Sequence, residues 1–135
     1  MGGGSIPPAA ARAAVDRLSL PGPFLVGVSC HSLEQALVAE IAGADYILLG
    51  PIFATPSKLA YGPPLGLEIL REVTACVKVP VLGLGGIGVE QVKPCLAAGA
   101  AGIAGIRIFQ DTEALAARVR ELRSRVTAEI DGPVR

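Results

Sequence analysis

Ser29, His31, Thr55, Ser57, Lys58, Gly85, Gly86 and Arg107 are the residues of this chain best suited to chemistry on an anion, and each follows a run of apolar residues. Glycine and turn backbones offer N–H groups that close around a phosphoryl group, and a lysine neutralises the charge of a departing one. The densest case is Val81-Leu82-Gly83-Leu84-Gly85-Gly86-Ile87-Gly88, where an apolar run ends in glycines and a helix-compatible stretch begins at Val89 or Glu90. It predicts a buried parallel strand that opens into an anion-binding loop. The glycines have a second reading, as sites of tight packing. His31, the single histidine, is a candidate acid or base near neutral pH, or else a loop residue leading into the helix that starts after Ser32.

The elements that must position these groups follow from period and punctuation. Pro7 and Pro8 suit a first helical turn, and a helix is expected over Ala9 to Leu18. Pro21-Gly22-Pro23 stops it, and Phe24 to Ser29 reads as the first strand. Ser32 with Gln35 forms a capping box, Leu33, Ala36, Leu37 and Ile41 make one apolar face, and Gly43 ends that helix. Tyr46 to Gly50 is the second strand, followed by a loop from Pro51 to Pro64 of about 14 residues, the length of a binding element. Leu67, Leu70 and Val73 mark a helix, and Val79 to Gly85 the third strand. A helix over Val89 to Ala98, strained by Pro94, ends at Gly99, and Gly102 to Arg107 is the fourth strand. Asp111 or Thr112 caps a last helix to about Val126, with Arg118, Arg120, Arg123 and Arg125 on a solvated face. Residues 1–5 are expected as a flexible tail, 6–126 as the folded unit and 127–135 as a frayed C-terminus.

Ala42-Gly43-Ala44-Asp45 before the second strand is echoed by Ala98-Gly99-Ala100-Ala101 before the fourth, so the repeat is a βα unit. Successive βα units without hairpin signals imply an α/β fold with a parallel sheet and right-handed crossovers. The chemical groups then gather at the C-terminal edge of that sheet. In (β/α)8 barrels the loops after the last two strands commonly hold a phosphate, and Gly85-Gly86 and Ile106-Arg107-Ile108 occupy that place. The spacing Gly83, Gly85, Gly88 also satisfies G-x-G-x-x-G. Against a dinucleotide site, Gly83 falls inside the strand, two βα units precede it, and no acidic residue ends a strand about 20 residues on.

Composition bounds the partners. Apolar residues are 51% and aromatic residues 4%, so the core is built from Ala, Leu, Ile and Val, as in parallel α/β proteins. Twelve basic residues balance twelve acidic ones, which argues against a nucleic-acid binder. No apolar stretch reaches the ~18 residues of a membrane span. Cys30, Cys76 and Cys95 lack C-x-x-C spacing and read as buried thiols of a cytoplasmic protein.

Several motifs, in order, carry a family resemblance. Gly27-Val28-Ser29-Cys30-His31-Ser32, Ala42-Gly43-Ala44-Asp45-Tyr46, Gly50-Pro51-Ile52-Phe53-Ala54-Thr55-Pro56-Ser57-Lys58, Pro64-Leu65-Gly66-Leu67, Pro80-Val81-Leu82-Gly83-Leu84-Gly85-Gly86-Ile87 and Ala98-Gly99-Ala100 resemble the C-terminal half of thiamine-phosphate synthase and its TenI relatives. The resemblance spans about residues 8 to 126 and implies the last four strands of a (β/α)8 barrel. It implies a transferase that joins hydroxymethylpyrimidine diphosphate to a thiazole phosphate, releasing pyrophosphate with Mg2+. It places Ser29 and Lys58 on the pyrimidine diphosphate, and Thr55, Pro56, Ser57, Gly86 and the Ile106-Arg107 backbone about the thiazole phosphate. The family's Gln-x-Arg-x-Lys diphosphate clamp and acidic Mg2+ ligands belong to an N-terminal half with no counterpart in this sequence, and Asp45 is expected at the N-terminal side of a strand. Arg107 stands where the family usually has a small residue such as Ser. TenI-type tautomerases carry a His where this chain has Pro51.

Two further readings stand beside the transferase: a non-catalytic phosphate-binding half barrel, and another phosphosugar-handling barrel. A half barrel leaves edge strands and an apolar sheet face uncovered, so the chain is expected to form a homo-oligomer or to pair with a separate N-terminal half.

Overall fold

The computed structural model describes residues 7–19, 24–54, 63–105 and 115–130, with the side chains of 128–130 left aside. Helix α1 (Pro8–Leu18) leads to β1 (Gly27–Cys30), α2 (Leu33–Ile41), β2 (Tyr46–Leu49), α3 (Gly66–Cys76) and β3 (Val81–Leu84). A 3-10 turn (Val89–Gln91) then precedes α4 (Val92–Ala97), β4 (Gly102–Ala104) and α5 (Leu115–Ile130). The strands form one sheet in the order β1-β2-β3-β4, every pair parallel. A doubly wound sheet would reverse its order at a switch point. Here each strand pairs with the next in sequence, and right-handed crossovers that never reverse place their helices on one side. The architecture is that of half a (β/α)8 barrel. The dinucleotide alternative fails on this topology, with Gly83 inside β3 and paired to Leu49 and Ile103.

The two sheet faces differ sharply in burial. Cys30, Ile47, Leu49 and Val81 are buried against Ala36 and Ala39 of α2, Leu70 and Val73 of α3 and Cys95 of α4. This is the core, and small residues on α2 let that helix sit close to the sheet. The alternate residues Ser29, Tyr46, Leu48, Leu82, Leu84 and Ala104 are only half-buried, because no helix covers their side.

The repeated Ala-Gly-Ala segments are twin helix stops. Gly43 (φ +97°) and Gly99 (φ +107°) adopt the left-handed conformation. Ala44 N–H donates to Ala39 O (3.0 Å) and Ala100 N–H to Cys95 O (3.1 Å), so each helix closes in the same glycine-dependent motif. Asp45 N–H then donates to Val26 O (2.7 Å) and Ala101 N–H to Val81 O (2.8 Å), which delivers both chains into the sheet in the same way.

Several expectations are corrected. The strands are shorter than the apolar runs, since Phe24 to Val26 and Val79 to Pro80 precede the ladder and Gly50 and Gly85 follow it. Ser32 caps α2, its Oγ accepting from Gln35 N–H (3.1 Å), but the Gln35 side chain reaches past Ser32 to His31 N–H (2.8 Å). Leu37 and Ile41 do not belong to the buried face of α2, for Ile41 is 87% exposed while Ala36 and Ala39 are buried. Pro94 causes no strain, because α4 starts only at Val92 and a proline in a first turn lacks an N–H that would be unpaired anyway. Helix α5 reaches Ile130, past the Val126 limit and into the stretch expected to fray. Cys30 and Cys95 are buried, and burial pushes the Cys95 thiol up to about 11, but Cys76 at the end of α3 is exposed. The expected tail 1–5, the Asp111 or Thr112 cap and residues 131–135 lie outside the described residues.

Asp45, at the N-terminal side of the sheet, ties the first elements together. Its carboxylate accepts from Val26 N–H (2.7 Å) and from Arg12, whose guanidinium also donates to Phe24 O (2.8 Å). The Val26 N–H and then the Arg12 guanidinium hold the Asp45 carboxyl below the usual carboxylate range. A carboxyl depressed on folding stabilises the native state above its unfolded value of about 3.9, and that contribution is lost as pH falls through the folded value. Asp45→Asn should therefore lose stability at neutral pH and depend less on pH below about 4, as read from urea midpoints across that range.

Candidate functional site

The candidate site lies at the C-terminal edge of the sheet, where the exits of β1, β2 and β3 meet. Gly50 N–H donates to Cys30 O (3.2 Å), holding the end of β2 against β1. Beyond it, Ile52 N–H donates to Leu84 O (2.9 Å) and Phe53 N–H to Gly85 O (3.1 Å), so residues 51–53 run alongside the exit of β3. The returning end of the long loop is pinned to the same place, with Leu65 N–H on Pro51 O (2.7 Å) and Gly66 N–H on Ile52 O (2.9 Å). Residues 51–53 and 65–66 are thus held together above β2.

The glycines have a packing reason here. Gly85 (φ +99°) holds its backbone against Pro51, where an added Cβ would lie 2.8 Å from Pro51 Cα. Gly86 (φ +65°) holds its own against the next residues, where a Cβ would lie 2.8 Å from Phe53 Cβ and 2.9 Å from Ala54 O. The β3 exit and the segment that leads into Thr55 are therefore in contact, as convergence on one anion requires. Thr55, Pro56, Ser57 and Lys58 themselves, with Ile106 and Arg107, lie outside the described residues. Ser29 is half-buried on the uncovered sheet face, in one row with Leu48, Leu82 and Gly102.

His31 makes a contact that nothing in the local sequence announces. Its Nδ1 lies 2.7 Å from Gly50 O. A carbonyl only accepts, so Nδ1 carries the proton and, in the neutral ring, Nε2 presents its lone pair. The imidazole is thus a clasp between β1 and the start of the 51–64 segment. The single histidine of the chain should show the Nδ1–H tautomer in 15N NMR. His31→Asn, which keeps a donor near the Nδ1 position, should preserve slow amide exchange at Ile52 and Phe53. His31→Gln should speed it by roughly three- to tenfold, the worth of about one hydrogen bond.

The described donors do not fit a Mg2+ site. Among the described residues no three His, Cys, Asp or Glu side chains gather. Asp45 is engaged at the opposite end of the sheet, and Glu40 accepts from Lys78 N–H and Val79 N–H below α3. Ser29, His31 and the glycine backbones remain at the C-terminal edge, a donor set without the carboxylates a hard divalent cation prefers.

The family model described as Thiamine monophosphate synthase matches residues 2–109. The chain belongs to the thiamine monophosphate synthase family. A thiamine-phosphate synthase of Methanoregula boonei is 45% identical over 107 residues, covering 79% of this chain and 50% of that protein. A putative thiamine-phosphate synthase of Aquifex aeolicus is 52% identical over 86 residues, 64% of this chain and 46% of that one. The solved thiamine phosphate pyrophosphorylase of Pyrococcus furiosus superposes with a TM-score of 0.83 at 32% identity, covering 96% of this chain and 59% of the other. This member of the family therefore spans about half the length of the curated relatives it matches. The family match ends at residue 109, so all of α5 lies beyond it.

Proposed function

We propose that this chain supplies the C-terminal half of a thiamine-phosphate synthase site, which joins hydroxymethylpyrimidine diphosphate to thiazole phosphate and releases pyrophosphate. The observation that carries the proposal is the interlock of residues 51–54 with the Gly85-Gly86 turn at the C-terminal sheet edge. In this reading the turn N–H groups of Gly85 and Gly86, with Thr55, Pro56, Ser57, Ile106 and Arg107, hold the thiazole phosphate. Ser29 and Lys58 contact the pyrimidine diphosphate, and Lys58 neutralises charge on the departing pyrophosphate. His31 holds residues 50–53 in place and is a candidate acid or base. No step is assigned to Mg2+, whose ligands would come from outside the described residues.

The substrates are small phosphorylated molecules, in keeping with a neutral net charge. No helix of the described residues is long and apolar enough to cross a membrane. The setting proposed is the cytoplasm. The lack of a metal-binding cluster among the described residues and the uncovered sheet face favour one second reading, a phosphate-binding half barrel without turnover.

The deciding experiment is an assay for thiamine phosphate from both substrates with Mg2+, run beside calorimetry with thiazole phosphate. Product formation that is lost in Lys58→Ala supports the transferase. Binding of thiazole phosphate without product supports the second reading, and neither binding nor product overturns both.

A further inference from the structure

Helix α2 carries an apolar stripe on the side turned away from the sheet. Ala36 and Ala39 are buried against the strands, and the helical period sets Val38 and Ile41 on the opposite side with Leu37 at its edge. Leu37, Val38 and Ile41 are 37%, 61% and 87% exposed. The outer faces of the other long helices after β1 are built differently. Glu68, Arg71 and Glu72 are the exposed side chains of α3 over the same two turns, and Arg120, Glu121, Arg123 and Arg125 are exposed on α5. Of these three helices, among the described residues, only α2 gives solvent a run of branched aliphatic side chains.

The rest of the fold leaves this stripe in the open. Helix α1 is tied to the end of α2 by Arg12, which donates to Gly43 O (3.4 Å), and it does not reach over Val38 or Ile41. The uncovered face lies on the far side of the sheet from α2, so whatever covers that face does not touch the stripe. Burying the stripe strands no charge. Glu40 turns away to accept from Lys78 N–H and Val79 N–H, and Glu34 stands at the upper end, where a rim position keeps it in water.

The shape of the stripe selects its occupant. Leu37 with Ile41, and Glu34 with Val38, form two rows spaced by four residues, and such rows pack into the grooves between like rows at a crossing angle of about −50°. The three aliphatic side chains expose about 300 Å² of apolar surface, the size of patch that marks an interaction site. A second copy supplies the same area again by symmetry. Since interfaces are a little over half apolar, the contact then totals about 1,000 Å², the lower limit of a specific but weak association.

We infer that two copies of this chain associate reversibly through α2, antiparallel about a two-fold axis that passes between Val38 and Ile41. Each protomer's Val38 packs against the partner's Ile41, Leu37 flanks the contact, and Glu34 stays at the rim. The inference rests on the outer surface and not on the transferase reading, so an association result and an activity result fail separately.

The test is sedimentation velocity on the full chain over about 5–500 μM, a range that brackets the dissociation constant of about 10–100 μM expected for a contact of this size. The same series is run with Leu48→Lys, which charges the open sheet face and so removes association through that surface. Both chains should form a dimer. Adding Ile41→Lys should weaken it by at least about tenfold while leaving the circular dichroism and urea midpoint unchanged, since Ile41 is exposed and a lysine suits the last turn of a helix. Glu68→Lys, a larger change of charge on the outer face of α3, should leave the dimer as strong as before. Three results overturn the inference: a Leu48→Lys chain that stays monomeric over the whole range, a dimer that Ile41→Lys weakens by less than tenfold, or one that Glu68→Lys weakens as much as Ile41→Lys does.

Discussion

Replacing Gly85 by alanine is expected to destabilise the chain by about 2–5 kcal/mol, lowering the urea midpoint with little change in slope. Two effects add. The left-handed backbone at φ +99° disfavours any side chain, by roughly 1–2 kcal/mol. The new methyl would also stand 2.8 Å from Pro51 Cα and Cβ, and since Pro51 is fixed by Leu65 N–H on its carbonyl, relief requires the 51–54 segment to shift. Gly66 separates the two effects. Its φ is +81° but nothing lies within 4 Å of an added Cβ, so Gly66→Ala should cost only the backbone term of about 1–2 kcal/mol. Equal costs at the two positions would mean that the β3 exit and residue 51 are not in contact. A larger cost at Gly85, together with weaker binding of inorganic phosphate, would tie stability and the candidate site to the same interlock.

The second large effect concerns neighbours on one strand. Ile47 is fully buried beneath α2 and α3, and Ile47→Ala should cost about 2–5 kcal/mol through lost transfer energy and the cavity left behind. Leu48, the next residue, faces the uncovered side and is half-buried. Leu48→Ala should cost no more than about half as much, because less of its surface leaves water on folding. Urea unfolding of both variants checks the contrast in the chain alone. On completion of the barrel the two costs should converge, because Leu48 then becomes a core residue.

Much of this architecture was legible in the residues. Apolar runs closed by glycine, separated by segments with helical period, specify parallel βα units, because short-range rules of backbone and burial suffice for that inference. The Ala-Gly-Ala echo fixed two helix ends for the same reason, since only a left-handed residue closes a helix in that motif. The family motifs likewise sit at strand ends in the order expected of the last strands of a barrel. Where the residue-level reading failed, neighbours distant in sequence decided the outcome. Leu37 and Ile41 matched a helical stripe, yet the sheet selected Ala36 and Ala39, whose small side chains bring α2 close. Pro94 looked like a fault inside a helix until the 3-10 turn moved the start of α4 to Val92.

By itself the sequence determined the order and direction of the strands and the edge at which polar groups collect, because these depend on local pattern and on the handedness of crossovers. Only the tertiary structure decided why the glycines are glycines, where the His31 Nδ1–H goes, and which face of the sheet stands open. Each of those depends on a contact between segments tens of residues apart, Gly85 with Pro51, His31 with Gly50, Ile47 with α2 and α3, and such contacts leave no periodic trace along the chain.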